Sequence, residues 1–140
     1  MFKVQLIRDE VRKLLLIQQT SILIDECEKC VARFWQMREE DRAPDFFAEV
    51  KPHADAIHQL LKEWQQEANN WIQQNKPKYM HTGQIASAVE SMEQFVVQSF
   101  YKETSKKRFL DATHSTSFTL NNFYRLVKEA QTDVIEKTDD

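Results

Sequence analysis

Glycine is nearly missing from this sequence. Gly83 is the only one in 140 residues, and Pro44, Pro52 and Pro77 are the only prolines. β-Hairpins, sandwiches and α/β crossovers draw on glycine wherever a turn needs positive φ. A P-loop, a dinucleotide fingerprint and a glycine nucleophile elbow need several glycines at fixed spacing. One glycine excludes them all, and the composition reads as all-helical. Long apolar runs are lacking too. The first thirteen residues carry Lys3, Arg8, Asp9, Glu10, Arg12 and Lys13, and the apolar run that follows, Leu14 to Ile17, is four residues long. A secretory signal needs an apolar stretch of ~7–15 residues and a spanning helix ~20. The chain is therefore expected to be cytoplasmic, without a membrane partner. Two cysteines, Cys27 and Cys30, are too few for a disulfide framework. Basic charge is not in excess either. Nineteen Lys and Arg against 22 Asp and Glu leave a net charge of −3, which argues against a nucleic-acid partner, whose binding rests on a basic surface.

What is present is helical periodicity. The length suits one domain of ~100–200 residues with a sizeable core. Punctuation falls at Glu39 to Pro44, Asn75 to Gly83 and Lys102 to Ser105. Between these lie four stretches: Phe2 to Glu39, Pro52 to Asn75, Gly83 to Tyr101 and Ser105 to Ile135. A short helical turn, Pro44 to Val50, precedes the second. Pro44 and Pro52 suit first-turn positions, or Pro52 kinks one continuous helix. His81 or Thr82 is the expected cap of the third helix and Thr104 of the fourth. Phe109, Thr113, Thr116, Leu120, Phe123, Val127 and Ala130 recur four and three apart, which defines a bundle seam. Ile57, Leu60, Leu61, Trp64, Ala68, Trp71 and Ile72 mark the second helix, and Ile85, Val89, Met92, Val96 and Phe100 the third. Short connections favour antiparallel neighbours. The expected fold is an up-down-up-down four-helix bundle with a short extra helix before helix two. It forms one domain over 1–135 and an acidic tail over 136–140.

The first helix carries two apolar stripes. Val4, Ile7, Val11, Leu14, Leu15 and Ile22 form one. Leu16, Leu23, Cys27, Cys30, Phe34 and Met37 form another, turned away by roughly 120°. A helix apolar on two faces is either deeply buried or serves a second interface. Two readings follow for the second stripe. Phe46, Phe47 and Val50 fold back over it, or it is the groove of a homodimer or another partner, with Leu16, Leu23, Phe34 and Met37 as contacts.

Several residues carry a family resemblance. Trp64 and Trp71, then Pro77-Lys78-Tyr79-Met80-His81 and Gln84-Ile85, are similar to the middle of the YppE-like family. So are Gln98-Ser99-Phe100-Tyr101, Thr104-Ser105-Lys106-Lys107-Arg108-Phe109, and Thr119-Leu120. This is a family of small proteins of unknown function from Bacillus-type bacteria. The resemblance spans about Pro44 to Lys128 and is most specific from Gln98 to Asp111. It implies a bundle of antiparallel helices and no activity or catalytic residue. Glu26 to Cys30 lies outside its pattern.

Five constellations bear on chemistry. Di-metal bundles use Glu-x-x-His on two helices with a lone Glu on each of the others. Here Asp55-x-x-His58 and Asp111-x-x-His114 begin helices two and four, with Glu28 and Glu90 or Glu93 toward the same end. Helical angles turn Asp55, Asp111 and His114 toward water and leave only His58 on a flank. Cys27-x-x-Cys30 lies deep in a helix among Asp25, Glu26 and Glu28, whose charge opposes thiolate formation; His53 and His58 would have to complete any zinc set. Both cysteines fit as small hydrophobes. Lys106-Lys107-Arg108 sets three cations in a helix's first turn against the macrodipole. Glu39-Glu40-Asp41 at the same bundle end offsets them, or an anionic partner does. Trp64 and Trp71 read as core, with Glu93 as an acceptor for a buried indole N–H; a small ligand near them is a third reading. Ser99, Ser105, Ser115 and Ser117 show no prepared oxyanion hole, and adjacent His114 and Ser115 do not face each other on a helix.

The sequence thus points to a non-catalytic protein-interaction module without a cofactor, partnered by another protein or by itself. Its candidate contacts are Leu16, Leu23, Phe34, Met37, Lys106, Lys107 and Arg108. The alternative is a metal-binding bundle or metal-dependent enzyme using Asp55, His58, Asp111 and His114.

Overall fold

The computed structural model describes residues 2–138. Four α-helices carry the chain: α1 (Phe2–Glu40), α2 (Lys51–Asn75), α3 (Thr82–Gln98) and α4 (Lys106–Thr138). A single wide π-helical turn, Phe46–Val50, leads into α2. Residues 139 and 140 of the expected tail lie outside the described residues, and α4 runs on to Thr138.

Local chemistry sets the ends. Asp45 caps the wide turn, its carboxylate accepting from Ala48 N at 3.0 Å, so Pro44 stands just outside the helix rather than in its first turn. Backbone stays helical through Val50, and Lys51 N–H bonds back to Phe46 O. Pro52 then sits in the first turn of α2, where its missing N–H does no harm. It starts a helix instead of kinking one. Helix α2 ends on Lys76 at φ 48°, whose N–H bonds to Ile72 O at 2.8 Å, and Pro77 follows. Asp41, at φ 50°, holds the other left-handed position. Glycine usually fills such sites, but Gly83 is spent in the first turn of α3 at ordinary φ.

Helix α3 begins after His81, whose N–H donates to Gln84 Oε1 at 2.7 Å. It stops at Gln98, earlier than the periodicity predicts. Phe100 and Tyr101 switch to tighter bonds onto Val97 O and Gln98 O. The Thr104 hydroxyl donates to Gln98 O at 2.8 Å, closing this turn rather than capping α4. Ser105 takes the cap position, its carbonyl accepting from Phe109 N at 3.0 Å.

The helices are antiparallel neighbours in chain order, with α4 closing back on α1. Arg12 near the start of α1 meets Glu67 late in α2. Phe34 late in α1 stacks on Phe109 early in α4, centroids 4.4 Å apart. Phe95 late in α3 meets Phe109 edge-on at 6.2 Å. The seams read from the sequence of α2, α3 and α4 all face the core. Trp64 and Trp71 both pack edge-on against Phe123 across the bundle, at 5.8 and 5.6 Å.

Candidate functional site

The two faces of α1 take opposite roles. Leu16, Leu23, Cys27, Cys30, Phe34 and Met37 all point into the bundle, and Leu23, Cys30 and Phe34 are 0% exposed. The four proposed contact residues on this stripe, Leu16, Leu23, Phe34 and Met37, are therefore core, and no partner can reach them. Most of the stripe belongs to one core cluster with residues of α2, α3 and α4. Phe46 and Phe47 are exposed, and only Val50 of that turn is buried.

The outward face is the other stripe. Ile7 is 64% exposed, Leu14 53% and Val11 49%, with Val4, Leu15 and Ile22 similarly open. None of residues 2–15 is buried. Apolar burial supplies most of a helix's stability in a protein, so this half of α1 leans on the continuity of the helix below it. Monomeric proteins rarely leave a contiguous apolar patch larger than a few hundred Å² without a use for it. This face is the candidate functional site.

A second, polar feature lies where α1, α2 and the end of α3 meet. Glu26 is buried in α1, its side chain 5% exposed. Its Oε1 lies 2.6 Å from His53 Nε2 in the first turn of α2 and 3.5 Å from Arg33 Nη2. Arg33 Nη1 donates to Ser99 Oγ at 2.8 Å, and Ser99 Oγ donates on to Val96 O at 2.7 Å. The guanidinium also covers the Phe100 ring, 4.4 Å from its centroid. Cys30 Sγ lies 3.5 Å from Glu26 Oε1. Burial, then the Glu26 charge, pushes both the Cys27 and the Cys30 thiol up to about 12. A neutral thiol is a poor nucleophile, and Ser99 is tied at both ends. The cluster joins three helices; its groups are bound to one another rather than presented to a substrate. Nothing in the sequence marks it, because its members come from three separate elements.

The basic cluster stands where α1 ends and α4 begins, at the same end of the bundle as this three-helix junction. Lys106 Nζ lies over the Trp35 ring, 5.2 Å from its centroid, while Lys107 and Arg108 are exposed. The acidic end of α1 does adjoin it, but two of its three charges are engaged elsewhere. Asp41 pairs with Lys102 at 2.7 Å and Glu40 with Arg42 at 2.8 Å. Among the described residues no ion pair holds Lys106, Lys107 or Arg108.

The metal alternative is not assembled. Asp55 pairs with Lys51 at 2.8 Å within α2. His58 Nε2 lies 3.0 Å from the backbone oxygen of Glu93 on the α2–α3 side. Asp111 and His114 are exposed, His114 beside Cys27 and Glu28 on the α1–α4 side. Among the described residues no three His, Cys, Asp or Glu side chains converge as ligands. Glu93 is exposed and accepts no indole N–H. The Trp64 indole instead donates to Thr20 Oγ1 at 2.9 Å.

No helix among the described residues is long and apolar enough to cross a membrane. Comparison with known proteins places the bundle. An uncharacterised protein of Bacillus subtilis strain 168, YppE, is 31% identical over 106 residues, covering 76% of this chain and 86% of that protein. The crystal structure of B. subtilis YppE superposes with a TM-score of 0.81 at 28% identity, over 85% of this chain and 97% of that one. A Listeria innocua protein of unknown function shares the fold at 24% identity, with a TM-score of 0.82 over 87% and 98% of the two chains. The family model for a bacterial domain of unknown function, DUF1798, matches residues 20–133, so most of the outward stripe of α1 precedes the matched region. The similarity read from Trp64 to Thr119-Leu120 thus holds along most of the chain, which belongs to the DUF1798 family.

Proposed function

We propose that this chain is a non-catalytic protein-interaction module of the cytoplasm that docks through the outward face of α1. The observation that carries this reading is the aliphatic row Val4, Ile7, Val11, Leu14, Leu15 and Ile22, open to solvent on a helix whose opposite face already supplies the core. Leaving that row in water forgoes apolar burial on the order of 25 cal/mol per Å², a driving force available to whatever covers it. The buried Glu26–Arg33–His53 cluster fits the same reading, since it anchors the later part of α1 to the bundle and leaves the outward face of its first half free.

Site-specific photo-crosslinking in the native host tests it. A benzophenone amino acid replaces Val11, and in a control replaces the exposed Glu90 of α3. The module reading expects a discrete protein adduct from position 11 and none from position 90. No adduct from position 11, or the same pattern from both, contradicts it.

A further inference from the structure

We propose that the partner seated on the outward face of α1 is a second copy of this chain, an inference that rests on the interaction reading above. Val4, Ile7, Val11 and Leu14 are spaced three, four and three apart. That is an a/d seam, the pattern by which two helices interdigitate as knobs into holes. Val occupies the first two a positions, and Ile and Leu the first two d positions. Gln18, also exposed, continues the row as a polar a residue, of the kind that fixes register in paired helices. Leu15 and Ile22 follow d positions directly and widen the apolar strip on one side.

A helix seam of this kind is self-complementary, and an isologous contact uses one patch on both subunits. Area supports the same occupant. The six side chains, each about half exposed, present on the order of 500 Å², the upper end of what a monomer leaves open. Doubled across a two-fold axis and joined by the stems of flanking charged residues, the surface removed reaches on the order of 1,200 Å², the lower bound for a stable interface. Five of the six residues precede the family match over 20–133, so this chain carries the seam largely on sequence outside the matched region.

Sedimentation equilibrium of the full chain, from about 1 to 300 µM, measures the association directly. The expected species is a concentration-dependent dimer at twice the 16.7 kDa chain mass. The double variant Val11→Glu, Leu14→Glu removes two seam layers at positions exposed in the single chain. It is expected to stay helical, melt cooperatively as a monomer and self-associate at least ~100-fold more weakly. A wild-type chain that stays monomeric throughout overturns the second-copy inference. The interaction reading then survives only where Val11 crosslinks to a different protein. A dimer unmoved by the double variant overturns the inference by placing the interface elsewhere. A variant that loses its fold as a monomer shows the face to be covered within the chain, and overturns both readings.

Discussion

The Trp64 indole N–H donates to the hydroxyl of Thr20 at 2.9 Å, with both residues fully enclosed. Thr20 Oγ1 in turn donates to Leu16 O at 2.7 Å, so one hydroxyl satisfies a buried indole and remains satisfied itself. Replacing Thr20 with Val keeps the shape and strands the indole donor. An unpaired buried donor costs ~1–3 kcal/mol, and Thr20→Val should lose that much in urea unfolding. Thr20→Ser keeps the hydroxyl and should lose less. A Thr20→Val variant as stable as the wild type would contradict a stabilising role for this bond.

Arg33 and Glu26 form the charged heart of the three-helix junction. Removing one partner of a buried ion pair typically costs ~3–5 kcal/mol, because the other charge stays buried and unpaired. Arg33→Met should approach the lower part of that range, since His53 still faces Glu26 at 2.6 Å. Adding Glu26→Gln to Arg33→Met removes the stranded charge and should recover part of the loss. A double variant no more stable than Arg33→Met alone would mean that guanidinium packing over Phe100 dominates.

The two thiols give the protein an alkaline limit. Their ordinary pKa of 9.0 applies once the chain unfolds, against about 12 when folded. Between those values the unfolded chain has released protons that the folded chain still holds. Stability from the neutral thiols is therefore complete below pH 9 and falls as pH rises toward 12. The double substitution Cys27→Ala, Cys30→Ala should flatten the loss of stability between pH 9 and 11 while costing packing at pH 7. Thiol labelling at pH 8 should be slow in the folded protein and immediate in urea. Rapid labelling without denaturant would contradict the buried placement.

The two stripes of α1 should respond very differently to truncation. Leu23→Ala opens a cavity in the core and should cost ~2–5 kcal/mol. Leu15, 51% exposed, should cost less than ~1 kcal/mol when changed to Ala in dilute protein. Comparable losses from the two would put the Val4–Ile22 stripe inside the folded unit.

The fold was legible because its seams are long and regular. The Phe109 to Val127 spacing alone defines the inner face of α4, and scarce glycine left helices as the sole consistent reading. The inside and outside of α1 were not legible from periodicity, which finds apolar faces but does not say which one meets the bundle. A signal was available. The Leu16 to Met37 stripe reaches the end of the helix, where Phe34 meets Phe109, while the other stops at Ile22. The Leu16–Met37 stripe, which the sequence leaves open as a partner groove, is core, and the Val4–Ile22 stripe is the free one. The His58 and His114 pairing failed because their helices turn them to different sides of the bundle. Glu26, Arg33, His53 and Ser99 were invisible as a set, since only the packing of three elements brings them together.

Hydrogen exchange along α1, compared in dilute and concentrated solutions of the full chain, reads the central claim most directly. The account predicts that amides of Val4 to Leu15 exchange fast when dilute and become protected as concentration rises, while those of Leu23 to Met37 are slow throughout. Exchange in the first segment that stays fast at every concentration would contradict self-association through this face.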